Sequence, residues 1–550
     1  MSSIGGAIPG SAGAGELGIL AKERTIAGPG FNRWLVPPAA LAIHLCIGMA
    51  YGFSVFWLPM SKLLASPDAA CDKDPGWIAD LFTSSCNWTV PHETFTFTLF
   101  IVFLGIAAAL WGGWLERAGP RKAGVVSALC WSGGLVMGAI GVYIHQLWIV
   151  WLGTGVLGGI GLGLGYISPV STLIKWFPDR RGMATGFAIM GFGGGAMIGA
   201  PLAALLMKNF APGGANGVWQ TFLALAAIYL VFMLGGAFGY RVPPNGWKPA
   251  GWTPPPQGKA LITQRHVHLS QAWKTPQFWA IWGVLCLNVS AGIGVLAMAS
   301  PMFQEVFGGV LLGQDQGATL TPEQKTQIVA IAASLVGLLS LFNSFGRIFW
   351  ASLSDKLGRK TTYYIFFVLG IGLYCALPTL GHMGAVMLFI VAACVIMSMY
   401  GGGFATVPAY LADMFGTQMV GAIHGRLLTA WSVAGVIGPL LIAYLRDFEK
   451  AQGVPGNLVY DVTLYILAVL LLGGLICNFL VKPVDAKYHM SDEALQAERA
   501  LAHEVMADPR AATAAQGGAG VAVILAWLAV GIPFAWGLKT AILKAAPLFH

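Results

Sequence analysis

The chain alternates long apolar runs with short stretches that are rich in glycine, proline or charge. A helix needs about 20 apolar residues to cross the hydrocarbon core of a bilayer. By this criterion the pattern predicts twelve membrane-spanning helices, at residues 34–60, 94–114, 123–144, 147–174, 183–207, 218–240, 277–304, 327–352, 361–381, 384–412, 420–445 and 458–480. We number them spans 1 to 12.

A further apolar run follows a charged tail and predicts a thirteenth helix. Residues 517–538 contain no charged side chain and are numerous enough to span a bilayer. Lys539 and Lys544 would then lie outside, against the positive-inside trend. A helix lying in the membrane interface is the alternative. We favour a spanning helix because the run has almost no polar face.

Landmark residues recur in the two halves of the chain at one constant offset of 239 residues. The matching pairs are Trp34 and Trp273, Pro169 and Pro408, Glu116 and Asp355, and Gly182 and Gly421. One shared offset at several landmarks indicates the duplication of a six-helix unit. Parallel repeats of this kind occur in membrane transporters whose substrate site lies between the two halves.

The pattern divides the chain into six segments. They are a disordered leader at 1–33, an N-terminal six-helix half at 34–240, a cytoplasmic linker at 241–275, a C-terminal six-helix half at 276–481, a cytoplasmic helical arm at 482–516 and an extra transmembrane helix at 517–550. The linker is assigned because its run of prolines and polar residues is too polar to span.

Composition supports an all-α integral membrane protein. Hydrophobic residues make up 56% of the chain and charged residues only 10%, against about 25% charged in soluble domains. The net charge of +8 is attributed to basic cytoplasmic loops rather than to nucleic-acid binding. Most loop lysines and arginines fall in the leader, the even-numbered connections and the tail, which predicts a cytoplasmic N-terminus. We expect a multi-pass protein of the plasma membrane, the inner membrane of a bacterium.

Arg347 is a cation within the apolar run of span 8. Ser340, Asn343 and Ser344 share its helix face by their spacing. A charge within a span costs several kcal/mol and normally faces a cavity or a partner. No Asp or Glu is placed deep in a predicted span, so a substrate carboxylate is the expected counterion. The alternative is an arginine that extends to the inner interface.

Several motifs resemble those of the oxalate/formate antiporter family of the major facilitator superfamily, a relative of the monocarboxylate transporters. They are YGFSVF at 51–56, WFPDRRGMATG at 176–186 and the stretch from YGGGFATVPAY to GVIGP at 400–439. The resemblance covers nearly all of residues 34–485. It implies the major facilitator fold of two six-helix halves and a secondary transporter of small organic anions by alternating access.

The resemblance also implies the location of a substrate-binding site. Transporters of this family carry a substrate-binding arginine in span 8, which matches Arg347, with Asn343 one turn away. Oxalate carriers are expected to have a second cation, a lysine in span 11, where this chain has Trp431. One cation favours a monocarboxylate such as formate, lactate or pyruvate, and oxalate:formate exchange is the alternative. The aromatic candidates for the site wall are Tyr51, Tyr166, Tyr400, Tyr410 and Trp431.

The connections after spans 2 and 8 read GGWLERAGPRKAG and ASLSDKLGRKTTY, and both resemble the superfamily's loop signature. Their acids and bases are candidates for a conformational latch between helix ends. The candidate residues are Glu116, Arg117, Asp355, Lys356 and Arg359. Ordinary positive-inside charge is the alternative.

Two other features have candidate roles. His44 in span 1 is a candidate for proton coupling because a histidine titrates near neutral pH, and a structural core histidine is the alternative. Cys71 and Cys86 lie in a connection predicted to be outside, where we expect a disulfide; two free thiols are the alternative.

Other function classes fit less well. An enzyme is not expected, because HExxH, GxSxG and clustered intramembrane carboxylates or histidines are absent from the sequence. A carboxylate sensor that has kept the transporter fold remains an alternative. We expect no cofactor, metal or nucleic-acid partner. The expected partners are a small carboxylate, the lipid bilayer and either a proton or an exchanged anion.

Overall fold

The structure is a computed structural model that describes residues 18–64, 68, 71, 76–211, 217–253, 261–315, 320–503, 520–545 and 548. Within these residues the regular secondary structure is helical. Two isolated bridges, Ile26 with Val242 and Val267 with His489, are the β pairings among them. The predicted all-α class is confirmed.

Thirteen helices in the described residues are long and apolar enough to cross a membrane. Spans 1 to 13 run over Arg33–Met60, Val90–Ala118, Pro120–Tyr143, Leu147–Trp176, Arg181–Asn209, Val218–Gly239, Pro276–Phe307, Gln327–Leu357, Arg359–His382, Val386–Phe415, Val420–Ala451, Asp461–Leu480 and Val521–Ala545. Most bounds extend beyond those predicted from hydrophobicity, because polar and charged residues next to the apolar runs also belong to the helices. Span 7, for example, begins where the Thr275 side chain accepts the backbone N–H of Phe278.

The two six-helix halves meet through equivalent pairs of helices. Span 5 packs on span 8, and span 11 packs on span 2. A Cβ atom at Gly186 would lie only 3.0 Å from the carbonyl oxygen of Arg347, and one at Gly425 would collide with the carbonyl of Ala108. Each glycine and its counterpart are 239 residues apart, as are Ala108 and Arg347. The duplication therefore produces two matched close approaches between the halves.

We call the end of the bundle that carries Glu116 and Asp355 the charged end, and the opposite end, with Cys71 and Cys86, the disulfide end. The turn after span 2 and the turn after span 8 at the charged end have the same geometry. Gly119 and Gly358 both adopt a φ of 87°, a conformation that favours glycine.

The expectation of a disordered leader is wrong for residues 18–33, and residues 1–17 lie outside the described part of the chain. The Lys22 ammonium donates to the carbonyl of Glu116 at 2.7 Å. Arg33 pairs with Asp179 at 2.7 Å and is buried. The segment is ordered because its charged side chains have partners at the charged end, which composition alone does not reveal.

The linker and the arm also pack on the charged end. Backbone N–H groups of Thr263 and Val267 donate to the carbonyls of Asp413 and Phe415, at 2.8 and 2.9 Å. The arm forms the helix Asp492–Leu501, which Ser491 caps. Residues 254–260 of the linker and 504–516 of the arm lie outside the described residues.

Span 13 packs against spans 1, 5 and 8. The Trp527 indole N–H donates to the carbonyl of Trp34 at 3.1 Å. The Phe534 ring fills the space beside Gly194 in span 5 and lies 6.3 Å from the Phe345 ring in span 8. Span 13 therefore contacts both halves along one seam.

Candidate functional site

Arg347 lies fully buried where spans 5, 8 and 10 meet. Its Nε and Nη2 each donate to Asn343 Oδ1 at 3.3 Å, and its Nη1 donates to the carbonyl of Ile189 at 3.1 Å. Its guanidinium carbon lies 5.7 Å from the Phe192 ring centroid and 5.4 Å from that of Phe404. Groups from both halves thus surround this cation.

Within the described residues, the hydrogen-bond partners of Arg347 are all neutral. Arg347 takes part in none of the ion pairs among these residues. Removing a guanidinium from water costs several kcal/mol even after relaxation. A desolvated cation–π contact offsets about 2 kcal/mol. An anion could therefore offset part of this cost, since the planar N–H groups of a guanidinium suit bidentate binding.

An aromatic cluster surrounds the arginine. The centre of the Trp431 ring lies 6.2 Å from that of Tyr51, 5.3 Å from that of Tyr166 and 4.6 Å from that of Phe404. The hydroxyl groups of Tyr51 and Tyr400 are 3.2 Å apart, across the two halves. Four of the five predicted aromatic residues therefore share one site with Arg347.

The fifth, Tyr410, lies elsewhere. Its ring is placed 6.0 Å from that of Tyr363 and at 28° to it. Phe192 and Phe404, which line the site, were missed by sequence reasoning. The repeat could have identified one of them, since Phe192 is the counterpart of Trp431 at the offset of 239 residues.

Within the described part of the chain, two polar atoms of the cluster have no hydrogen-bond partner. They are the hydroxyl group of Tyr166 and the indole Nε1 of Trp431, and both residues are fully buried. A buried donor without a partner costs about 1–3 kcal/mol. A bound anion could accept from these groups.

His44 is buried beside this cluster. Its Nδ1 is 2.5 Å from the carbonyl oxygen of Ala188, and its Nε2 is 3.2 Å from that of Tyr166. Two acceptors are both satisfied only when both ring nitrogens carry a proton. The ring centre of His424, also fully buried, lies 5.9 Å from that of Tyr166, and neither of its nitrogens has a hydrogen-bond partner in the described residues.

At the charged end, Glu116 contacts the opposite half. Its Oε1 accepts the backbone N–H of Gly421 at 2.8 Å and the Ser171 hydroxyl at 2.9 Å. Lys175 donates to its Oε2 at 2.6 Å. Glu116 therefore joins spans 2 and 4 to the start of span 11.

Asp355 makes the equivalent contact in the other direction. It accepts the backbone N–H groups of Gly182 and Met183 at 2.8 and 2.9 Å and the Arg359 guanidinium at 2.6 Å. Asp413, which sequence reasoning did not include, binds Arg181 of span 5 at 2.8 Å and Arg359 at 3.1 Å.

The other two latch candidates make different contacts. Arg117 donates to Glu498 of the arm at 3.2 Å, and Lys356 is exposed. A cavity of about 630 Å³ at the charged end is lined by both halves, the leader, the linker and the arm. Burial, with Arg499 and Arg181 nearby, lowers the pKa of His266 in its lining to about 4.

At the disulfide end, Cys71 and Cys86 are joined by a disulfide, with Cα atoms 5.7 Å apart. The bond closes the connection between spans 1 and 2 around the short helix Gly76–Phe82. This helix covers the start of span 2.

A repeated pair of six-helix halves that meets around a buried cation defines the class of two-half membrane transporters. The family model of the Major Facilitator Superfamily matches residues 40–439 and, in a second alignment, residues 327–549. The chain belongs to the Major Facilitator Superfamily. It is a multi-pass membrane transporter, not an enzyme.

Known relatives are similar at low identity. The oxalate:formate antiporter of Oxalobacter formigenes is 28% identical over 284 residues, which cover 51% of this chain and 59% of that protein. Human monocarboxylate transporter 11 is 27% identical over 427 residues, covering 75% of this chain and 77% of that protein. The predicted similarity to these two groups of transporters is confirmed.

Among solved structures, the fucose:proton symporter FucP of E. coli has a TM-score of 0.52 at 13% identity, covering 82% of this chain and all of that one. At this identity the likeness shows the fold alone. The predicted major facilitator fold is confirmed.

Proposed function

We propose that the protein is a secondary transporter that carries small monocarboxylates by alternating access, with Arg347 as the carboxylate-binding residue. The observation that carries the proposal is a fully buried guanidinium between the halves whose described partners are all neutral. Asn343, Tyr51, Tyr166, Tyr400 and Trp431 form the rest of the site. Tyr410 lies outside this group.

The single cation favours one carboxylate over two. Trp431 occupies the place where a second cation is expected in oxalate carriers, and its ring packs among four other aromatic rings. A dicarboxylate would leave one negative charge unpaired in an apolar site, which is costly. Formate, lactate and pyruvate are therefore the preferred substrates.

Oxalate:formate exchange is the second candidate, and the similarity to the Oxalobacter antiporter favours it. A carboxylate sensor would bind the same ligands without exchanging them. Exchange across a membrane distinguishes a transporter from a sensor, and competition between carboxylates distinguishes the two transporters.

We further propose that the charged end faces the cytoplasm of a bacterial cell and that the N-terminus lies there. The ordered leader, the linker and the arm, which hold many of the basic residues, all gather at this end. In this topology the inter-half contacts of Glu116, Asp355 and Asp413 close the site toward the cytoplasm.

His44 is the proposed site of proton coupling near the substrate. A carboxylate on Arg347 would neutralise the positive charge that opposes a second proton on His44. The carbonyls of Ala188 and Tyr166 would then both receive a hydrogen bond. Substrate and proton would bind together with no change in net charge.

Counterflow in proteoliposomes tests the substrate assignment. We expect labelled formate, lactate or pyruvate to exchange, and Arg347→Lys to abolish exchange in a folded protein, because lysine keeps the charge and loses the fork of donors. Arg241→Lys is the control, since Arg241 donates only to nearby backbone carbonyls among the bonds described. Normal exchange by Arg347→Lys would contradict the proposal.

A further inference from the structure

A buried group of ionisable side chains lies at the disulfide end, away from Arg347. The short helix Gly76–Phe82 places Asp80 over the start of span 2. Asp80 Oδ2 accepts the backbone N–H of Thr89 at 2.8 Å and its hydroxyl at 2.7 Å, and lies 2.7 Å from Nδ1 of His92. Asp80 is fully buried, and these donors satisfy its Oδ2, while its Oδ1 has no hydrogen-bond partner among the described residues.

Glu93 follows His92 in span 2 and is also fully buried, and among the residues that the structure describes its two carboxylate oxygens have no hydrogen-bond partner. A negative charge on Asp80 disfavours a second negative charge on Glu93. An ionised Glu93 would thus be a second buried anion, beside the first and without donors. Two such carboxylates favour a state in which one holds a proton.

The other ionisable groups around Glu93 do not change this conclusion. His92 is already bonded to Asp80. His145, from the connection between spans 3 and 4, donates to the carbonyl of Cys86 at 2.8 Å, and burial lowers its pKa. The packed segments Trp57–Met60 and Trp151–Leu157 contain no charged side chain. The described surroundings therefore offer Glu93 no cation.

We propose that Asp80, His92 and Glu93 form a proton-binding site that makes transport respond to pH at the disulfide end, with Glu93 protonated in this conformation. This coupling rests on the proposed function. The site has a physical link to the substrate: Phe97, one helical turn beyond Glu93 in span 2, has its ring 6.4 Å from that of Tyr51. Span 2 also contacts the other half, where Ser432 donates to the carbonyl of Ile101 at 2.7 Å.

Infrared spectroscopy can detect the proton without any transport. We expect a carbonyl band of a protonated carboxylic acid near neutral pH that is missing from Glu93→Gln. Glutamine keeps the volume and neutrality of the protonated acid, so this variant should fold. In Asp80→Asn the like charge is gone, so the band should disappear at a lower pH than in the unaltered protein. An unaltered protein without the band would overturn the proposal.

Uptake in proteoliposomes tests the coupling. Carboxylate uptake by the unaltered protein should vary with pH on the disulfide-end side. Uptake by Glu93→Gln should vary less steeply, with only the part due to His44 remaining, while exchange at equal pH continues. Identical pH profiles would overturn the proposal. Failure of the unaltered protein to exchange any carboxylate would instead refute the proposed function, and the infrared result would still decide whether Glu93 holds a proton.

Discussion

Glu116 in span 2 accepts the backbone N–H of Gly421 at the start of span 11 at 2.8 Å. The duplication repeats this contact in the reverse direction, since Asp355 accepts the N–H of Gly182 at the same distance. Each acid thus satisfies an unpaired N–H at a helix N-terminus of the opposite half, where a negative charge is favoured. The two contacts therefore join the two halves at the charged end.

Removing these carboxylates should open the charged end. A hydrogen bond to a charged group contributes about 1.5–3 kcal/mol, so Glu116→Ala with Asp355→Ala should shift the conformational balance by at least about tenfold. Distances between spin labels on spans 5 and 8 at the charged end should lengthen. Arg117→Ala is the control, because Arg117 binds the arm instead of the opposite half. Unchanged distances in the double variant would show that these contacts do not hold the closed state.

A cation at position 431 should change substrate preference. We expect Trp431→Lys to improve competition by oxalate relative to formate, because a second cation would pair with the second carboxylate. Trp431→Phe keeps an aromatic ring without charge and should not show the improvement. Competition against labelled formate in counterflow measures the effect. Oxalate already outcompeting formate in the unaltered protein would contradict the monocarboxylate assignment.

The Cys71–Cys86 disulfide should stabilise the connection that holds the short helix Gly76–Phe82 over the start of span 2. The sequence separation is 15 residues, and closing a loop of that size contributes about 3 kcal/mol in the chain-entropy model. We therefore expect a lower melting temperature for Cys71→Ser with Cys86→Ser. Thiol labelling of intact cells should increase only after reduction, if the disulfide end faces outward. Cys375→Ser is the matched control, since this exposed cysteine is free and forms no disulfide.

Sequence identified the features that depend on pattern and missed those that depend on packing. Arg347 was evident because one charge interrupts an apolar run, and the repeat was evident from one offset. Glu93 was missed because span 2 was predicted to begin at residue 94, whereas the helix starts at Val90. Asp413 was missed because it directly follows residue 412, where span 10 was predicted to end. Only the folded structure places Arg181 and Arg359 against it.

Linker docking should weaken in mild acid. His266 accepts the backbone N–H of Gln418 at 3.3 Å, and burial lowers its pKa to about 4 from an ordinary 6.5. A histidine held neutral in the folded state stabilises it above pH 6.5, and this contribution is lost as pH falls toward 4. Melting temperature should fall across that interval, and less steeply in His266→Gln. Equal slopes for the two proteins would exclude this role.

Deleting residues 517–550 should leave carboxylate exchange intact, because the residues proposed to bind substrate lie in spans 1 to 12. Span 13 contributes packing instead. Phe534 fills the space beside Gly194, and the adjacent Gly193 borders the Arg347 guanidinium. Lipid tails can replace much of this contact, so the loss of stability in a bilayer should be small.

Loss of span 13 should change the balance between open and closed forms of the charged end more than it changes stability. The reason is that span 13 contacts both span 5 and span 8, which belong to opposite halves. Phe534→Ala should therefore lengthen the distance between labels on those spans, in the same direction as the deletion. Leu528→Ala is the control, since this side chain is exposed on the surface of span 13. A folded, truncated protein without exchange would show that the substrate site needs span 13.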